Sequence, residues 1–357
     1  MSAPRVRAGK HHDHSSASFF CCERPRPSDI PMSMRRRRLA VGPLVLLWYG
    51  SSVIAIVTAK GVLREAAAPA TMCAVQFACA VLGVRVMLPS SATTTKLTGR
   101  PEQSHVRGIG FTYALGFLLT NAAISVAAPS FVETFKSSEP LSTVGLAALI
   151  LGDRERLTTL LALLPIVIGV AMASHGSAAF SLVGMAMALC SNLAFSGRAV
   201  LTKSLKRHHA SSLPAGSDAV LFYHVSRIGF WLLLPCACLL DVRYVLARLS
   251  DPSATLSSCA YLVALLLING CAHALYNGVS FLVLAKVPIA THAVLNIVRR
   301  VLLIAVSATV FVTPITTFNW IGVGMTAAGV ALFARSKHVH DDAGKNKKAT
   351  ERTLLPV

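Results

Sequence analysis

Ten apolar stretches, each close to the 17–25 residues a helix needs to cross a bilayer, run through this chain and leave room for little else. They lie near 41–60, 66–88, 108–128, 130–151, 157–174, 178–202, 218–240, 258–284, 288–312 and 317–334. A helix satisfies its own backbone hydrogen bonds, so it is the form such stretches take in hydrocarbon. Composition agrees: 54% of residues are hydrophobic, only 14% are charged, and the mean hydropathy is +0.61. A soluble domain carries about a quarter charged residues. The expected fold class is an all-α polytopic membrane protein with ten transmembrane helices.

Charge placement supports an even number of spans. With residues 1–38 inside, the inside loops hold Lys96, Arg100, Arg107, Arg154, Arg156, Lys203, Lys206, Arg207 and Lys286, against Lys60, Arg64, Arg243 and Arg248 outside. That asymmetry follows the positive-inside rule, with Arg35 to Arg38 and Arg335 with Lys337 anchoring the two ends. The net charge of +19 is thus accounted for by topology and tails, with no nucleic acid as partner. The nine cysteines show no paired CxxC motifs and no histidines at zinc spacing. They read as reduced, small apolar residues, and neither metal nor cofactor is expected.

Residues 1–38 form a polar basic tail without the apolar segment of a secretory signal, either an address loosely like a transit peptide or a disordered cytosolic tail. The C-terminal tail, 337–357, is also polar and expected to be unstructured. Between them the chain reads as two copies of one unit, 39–174 and 175–336. The segment Pro165 to Ser174 resembles Met325 to Ala334, with Gly169 and Gly329 in register, and each follows a span carrying a buried cation. Ten spans divided five and five place the copies upside down relative to each other, an architecture of many secondary transporters.

Arg299 and Arg300 stand side by side in the run from Pro288 to Val312. Each charge at the bilayer centre costs at least about 2.5–3.5 kcal/mol on insertion scales, so the pair asks for an anion. Being about 100° apart on a helix, they cannot point the same way. One is left for a ligand and the other for a partner such as Glu139 or a backbone carbonyl, unless both flank a wide cavity. Lys136 has Glu133 three residues before it and Glu139 three after, with Pro140 beside them to loosen the helix. An internal ion pair is the plain reading of that trio, and a binding role is compatible with it. Arg198 lies between a snorkelling reading and a site reading. Arg227 has few polar neighbours and reads as structural. His292 and Asn296 extend the polar stripe below Arg299, and Thr120, Asn121, Tyr276 and Asn277 offer hydrogen bonds at membrane depth. Cations without a matching number of carboxylates describe a pocket for a multivalent anion such as phosphate.

Three runs, Ser130 to Pro140, Ser191 to Lys203 and Thr291 to Val301, together resemble the triose-phosphate translocator family of the drug/metabolite transporter superfamily. The resemblance covers about 40–337. It implies ten helices in two inverted five-helix repeats and strict exchange of inorganic phosphate for phosphorylated C3, C5 or C6 compounds. By position, Lys136, Arg299 and Arg300 would hold the phosphate, aided by Thr120, while Tyr276, Phe195 and Arg198 would shape the rest of the pocket. The family's usual Lys-Arg pair is Arg299-Arg300 here, which keeps the charge. Its histidines near the third and fourth spans are Phe117 and Glu133, which bears on the organic half of the substrate.

The expected function is therefore a secondary antiporter of a plastid envelope, not an enzyme, exchanging phosphate for triose phosphate, 3-phosphoglycerate, phosphoenolpyruvate or a sugar phosphate. The alternative is a Golgi or ER nucleotide-sugar antiporter on the same fold. An enzyme acting on lipid phosphates would need a nucleophile, base and metal constellation that the chain lacks. An empty pocket with three bare cations is expected to cross the closed state far more slowly than a loaded one.

Overall fold

A computed structural model describes residues 32–87, 100–153, 155–175, 180–208, 217–250, 256–284, 286–287 and 289–354. The described residues are almost wholly helical: α1 Met32–Glu65, α2 Pro69–Met87, α3 Arg100–Val126, α4 Pro129–Lys136, α5 Glu139–Leu151, α6 Leu157–Leu161, α7 Leu164–Ser174, α8 Leu182–His208, α9 Ser217–Cys236, α10 Val242–Leu249, α11 Leu256–Leu284, α12 Ile289–Val310 and α13 Thr317–Leu354. Two compact units are distinguished, Met1–Ala40 and Val41–Val357. Of the first, only residues from Met32 onward are described, and they form the beginning of α1. Everything below concerns the second.

Nine helical segments among the described residues are long and apolar enough to cross a membrane. The protein is an all-α polytopic membrane protein. One segment joins α6 to α7 (Leu157–Ser174), and another runs from α9 through a π turn at Ala237–Asp241 into α10 (Ala219–Arg248). The tenth expected stretch, 130–151, is not one helix. It is divided between α4, of 8 residues, and α5, of 13. The cause is local. Pro140 has no N–H to give to the carbonyl of Lys136, and Ser137 and Ser138 close a turn by donating their N–H groups to the carbonyls of Thr134 and Phe135 at 3.1 and 3.0 Å. Gly152, with φ of 66°, ends α5 in the left-handed conformation that glycine adopts without steric cost.

The tails depart from expectation where they are described: α1 begins at Met32, inside the segment expected to be a tail, and α13 continues to Leu354. The remainder of the N-terminal tail and most of the Ser90–Gln103 loop fall outside the described residues.

Polar side chains join the helices internally, as they do where both neighbours and lipid are apolar. Gln76 of α2 donates to Asn269 of α11 at 2.7 Å, Asn121 of α3 donates to Gln76 at 3.0 Å, and Asn269 donates to the carbonyl of Ala55 at 2.8 Å. Asp241 accepts the N–H of Thr71 at 2.7 Å and so caps the start of α2. Ion pairs mark the helix ends. Asp153 accepts from Lys203 at 2.8 Å and Arg207 at 3.0 Å, and Lys337 meets Glu155 at 2.9 Å. Arg248 pairs with Glu65 at 3.3 Å. The hydrogen bond from Lys203, reinforced by Arg207, holds the Asp153 carboxyl below its ordinary range.

The two glycines of the internal repeat meet at one crossing, that of α7 with α13. A Cβ on Gly169 would lie 2.5 Å from the backbone nitrogen of Thr326, and one on Gly329 would lie 2.9 Å from that of Ile166. Gly322 similarly abuts Ala173, while Phe333 and Ala162 share a small apolar cluster with Val144.

Candidate functional site

Two helices bring the polar face of the site together through one repeated spacing. On α3, Tyr113, Phe117 and Thr120 fall at i, i+4 and i+7; on α8, Ser191, Phe195 and Arg198 do the same. Each set therefore lines one face of its helix. Gly116 lets the two faces close: a Cβ there would touch the Phe195 ring at 3.0 Å. Thr120 and Ser191 share a hydrogen bond of 2.8 Å, and Ser191 also bonds the Gly116 carbonyl at 2.8 Å. The broken span contributes Lys136, at the last turn of α4. It is 8% exposed, donates to Thr120 at 3.1 Å and lies 5.0 Å from the centre of the Phe195 ring. Asn192 of α8 holds the break in place, donating to the Phe135 carbonyl at 2.9 Å and to Ser138 at 3.2 Å.

The guanidinium of Arg198 lies 5.1 Å from the Tyr113 ring and 5.8 Å from that of Phe195, a cation–π arrangement on two faces. Its Nε is buried and has no acceptor. Arg299 lies between Trp48, at 5.6 Å, and Tyr276, at 5.8 Å, and donates to Asn296 at 3.1 Å. Arg300 points elsewhere, as the helical geometry requires. It reaches Glu139 at 2.7 Å and Glu133 at 3.6 Å, linking α12 to both pieces of the broken span. Of the three expected phosphate cations, then, Arg300 is neutralised within the protein, and the expectation of three bare charges is revised to that extent. Lys136 and Arg299 are in no salt bridge among the described residues.

Lys136, Glu139 and Arg300 also border a cavity of about 450 Å³ that opens between α4, α5, α12 and α13, where Thr134, Ser137, Thr143, Asn296, Thr326 and Lys337 join apolar side chains in the lining. Phe195, Arg198, Tyr276 and Arg299 do not line it.

Other polar residues singled out in the sequence bond to neighbouring helices or to the rings that flank the cations. Asn121 belongs to the α2–α11 network described above. Asn277 accepts from Tyr113 at 3.2 Å, and His292 stacks on Trp48 with ring centres 4.9 Å apart. Arg227 is exposed on α9. Sequence reasoning missed Tyr113, Trp48, Ser191 and His273. The i, i+4, i+7 spacing from Thr120 and Arg198 would have found Tyr113 and Ser191. No local signal marks His273, which is 2% exposed and packs against Phe117 at 4.6 Å and beside the Tyr276 hydroxyl.

Comparison with known proteins gives the same span of chain. The description of the Triose-phosphate Transporter family matches residues 39–334. Among similar proteins, phosphoenolpyruvate/phosphate translocator 2, chloroplastic, of Arabidopsis thaliana is 34% identical over 322 residues, covering 87% of this chain and 80% of that protein. Phosphoenolpyruvate/phosphate translocator 1, chloroplastic, of Oryza sativa subsp. japonica is 33% identical over 85% of this chain and 73% of its own length. The triose phosphate/phosphate translocator, non-green plastid, chloroplastic, of Brassica oleracea var. botrytis is 30% identical, with coverages of 84% and 74%. Nine helical segments among the described residues that are long and apolar enough to cross a membrane, and a family match that runs from the first of them into the last, make this chain a member of the Triose-phosphate Transporter family.

Proposed function

We propose that this chain is a secondary antiporter of a plastid membrane that exchanges inorganic phosphate for a small phosphorylated carbon compound. The observation that carries the reading is the pairing of Lys136 with Arg299. One comes from the first half of the chain and one from the second, neither is matched by a salt-bridged carboxylate among the described residues, and aromatic rings back both. A phosphate between them would accept from the ammonium and the guanidinium, with Thr120 within reach through Lys136. Arg198 supplies a further donor without an acceptor, placed for a second acidic group on the substrate. The names of the relatives favour phosphate and phosphorylated acids or trioses over nucleotide sugars, the alternative that the fold alone would permit.

Alternating access follows if the ten spans form two inverted repeats, 39–174 and 175–336. The α7–α13 contacts support that arrangement. Gly169 meets the residue three before Gly329, and Gly329 meets the residue three before Gly169, a reciprocity that a two-fold axis between antiparallel helices produces. Crossing with Lys136, Arg299 and Arg198 dehydrated and unmatched is costly, and a bound dianion removes most of that cost. Exchange is therefore one for one.

The test is uptake of labelled phosphate into liposomes loaded with unlabelled phosphate or with an inert salt. Fast uptake in the first preparation alone is expected; equal rates would mean a uniporter or an ion-coupled symporter. Competition by triose phosphates, 3-phosphoglycerate, phosphoenolpyruvate, hexose phosphates and nucleotide sugars then identifies the organic partner.

A further inference from the structure

His273 is polar and only 2% exposed, and it stands one helical turn before Tyr276 on α11. Aromatic rings surround it, with centres at 4.6 Å for Phe117, 5.2 Å for Tyr276 and 6.1 Å for Phe77. Among the described residues its ring nitrogens have one hydrogen-bond partner, the Tyr276 hydroxyl, 3.5 Å from Nδ1. Nε2 is left open. Buried polar atoms are nearly always bonded, because one without a partner destabilises the fold.

The ring sits within the site. Phe117 also lies 5.0 Å from Phe195, whose ring faces the ammonium of Lys136, so His273, Phe117 and Phe195 form one layer across α11, α3 and α8. On one side of this layer Thr120 meets Ser191 and Lys136. On the other, Arg198 meets Tyr113, and Arg299 meets Tyr276. A phosphorylated acid that spans from Lys136 to Arg198 crosses the layer, with the carbon between its two charged groups beside it. A carboxylate there would be drawn to Arg198. An uncharged oxygen suits the imidazole.

We propose that His273 determines specificity for the organic substrate, its Nε2 forming a hydrogen bond with a hydroxyl or carbonyl oxygen on the carbon next to the phosphorylated one. This rests on the phosphate-exchange reading and names the substrate class of the same site: C3 phosphates that carry such an oxygen, as 3-phosphoglycerate and the triose phosphates do. The Tyr276 hydroxyl can donate to Nδ1 or accept from it, so Nε2 can donate to a carbonyl or accept from a hydroxyl. A substrate analogue without the oxygen leaves Nε2 unpaired, and a polar wall rejects a ligand that lacks its group in this way.

The experiment is exchange of labelled phosphate by liposomes loaded with phosphate, inhibited from outside by 3-phosphoglycerate or by 3-phosphonooxypropionate, the same molecule with hydrogen in place of its hydroxyl. The readout is the ratio of the two inhibition constants, which a loss of inserted protein does not move. Wild type is expected to prefer 3-phosphoglycerate about tenfold or more. His273→Phe should bring the ratio close to one, while His273→Gln, which keeps a donor and an acceptor, should retain part of the preference. A wild-type ratio close to one overturns the inference, even where His273→Phe does not fold. A wild-type ratio kept by His273→Phe also overturns it. Phosphate exchange that neither compound inhibits overturns it too and leaves the exchange reading standing. No phosphate exchange by folded wild type overturns the exchange reading itself, and this inference with it.

Discussion

Gly169 and Thr326 touch backbone to backbone: a methyl group at Gly169 would lie 2.5 Å from the Thr326 nitrogen, closer than two packed helices can tolerate. The crossing of α7 and α13 therefore depends on the absence of a side chain there. Gly169→Val is expected to lower the melting temperature in detergent, by an amount corresponding to roughly 1–3 kcal/mol or more, the range for overpacking. Gly324→Ala on the same helix α13, where a Cβ meets nothing within 4 Å, should be neutral or slightly stabilising. Equal effects of the two substitutions would mean that the helices do not cross in this way.

Arg299 and Arg300 should separate experimentally. Arg299 has no carboxylate partner, so Arg299→Ala is expected to abolish phosphate exchange while leaving thermal stability nearly unchanged. Arg300→Ala strands Glu133 and Glu139 and should cost about 3–5 kcal/mol of stability as well as transport. Thermal melts of the two purified variants beside a liposome exchange assay decide it. Lys136→Ala should behave as Arg299→Ala in transport, and Arg227→Ala should be mild in both measurements.

Arg198 tests the organic half of the pocket. Its planar guanidinium lies against Tyr113 and Phe195, and an ammonium cannot reproduce that stacking or the bidentate grip. Arg198→Lys is expected to weaken competition by phosphoenolpyruvate and 3-phosphoglycerate about tenfold or more, with exchange of inorganic phosphate for itself little changed. A parallel loss of both would place Arg198 on the phosphate instead.

The Asp153 cluster makes a pH prediction of definite sign. Its carboxyl is held below its unfolded value by Lys203 and Arg207, so the stabilisation is complete above about pH 4 and is lost as pH falls through the folded value. All three groups are partly exposed, so the contribution is small, at most about 1 kcal/mol. Asp153→Asn should lower stability slightly at neutral pH and show a shallower loss on acidification. Melting curves of both proteins between neutral pH and about pH 3 would show it.

Much of this was readable from residue order. Hydropathy located the spans because a bilayer leaves the backbone few options, and a charge such as Lys136 or Arg299 in an apolar run stands out for the same reason. The divergence of adjacent helical residues offered Glu139 as a partner for one of the two arginines, but which of them takes it, and that Glu133 shares it, came only with the packing of α12 on the broken span. What the sequence left open depends on packing between distant segments. His273 reaches Phe117 only because α11 and α3 are neighbours. The burial of Glu133 depends on α12 lying over α4, and the continuity of the fourth span was decided by Pro140 together with two serines able to close a turn.

The interruption between α4 and α5 has an electrostatic side as well. Each helix end carries a partial charge from its aligned peptide dipoles, negative at the carboxyl end and positive at the amino end. Lys136 occupies the last turn of α4 and Glu139 the first turn of α5, so each sits at the terminus that favours its sign. In one continuous helix both would lie mid-run, away from any terminus. The break thus lets the backbone itself act as counter-ion to both charges, wherever the substrate happens to be.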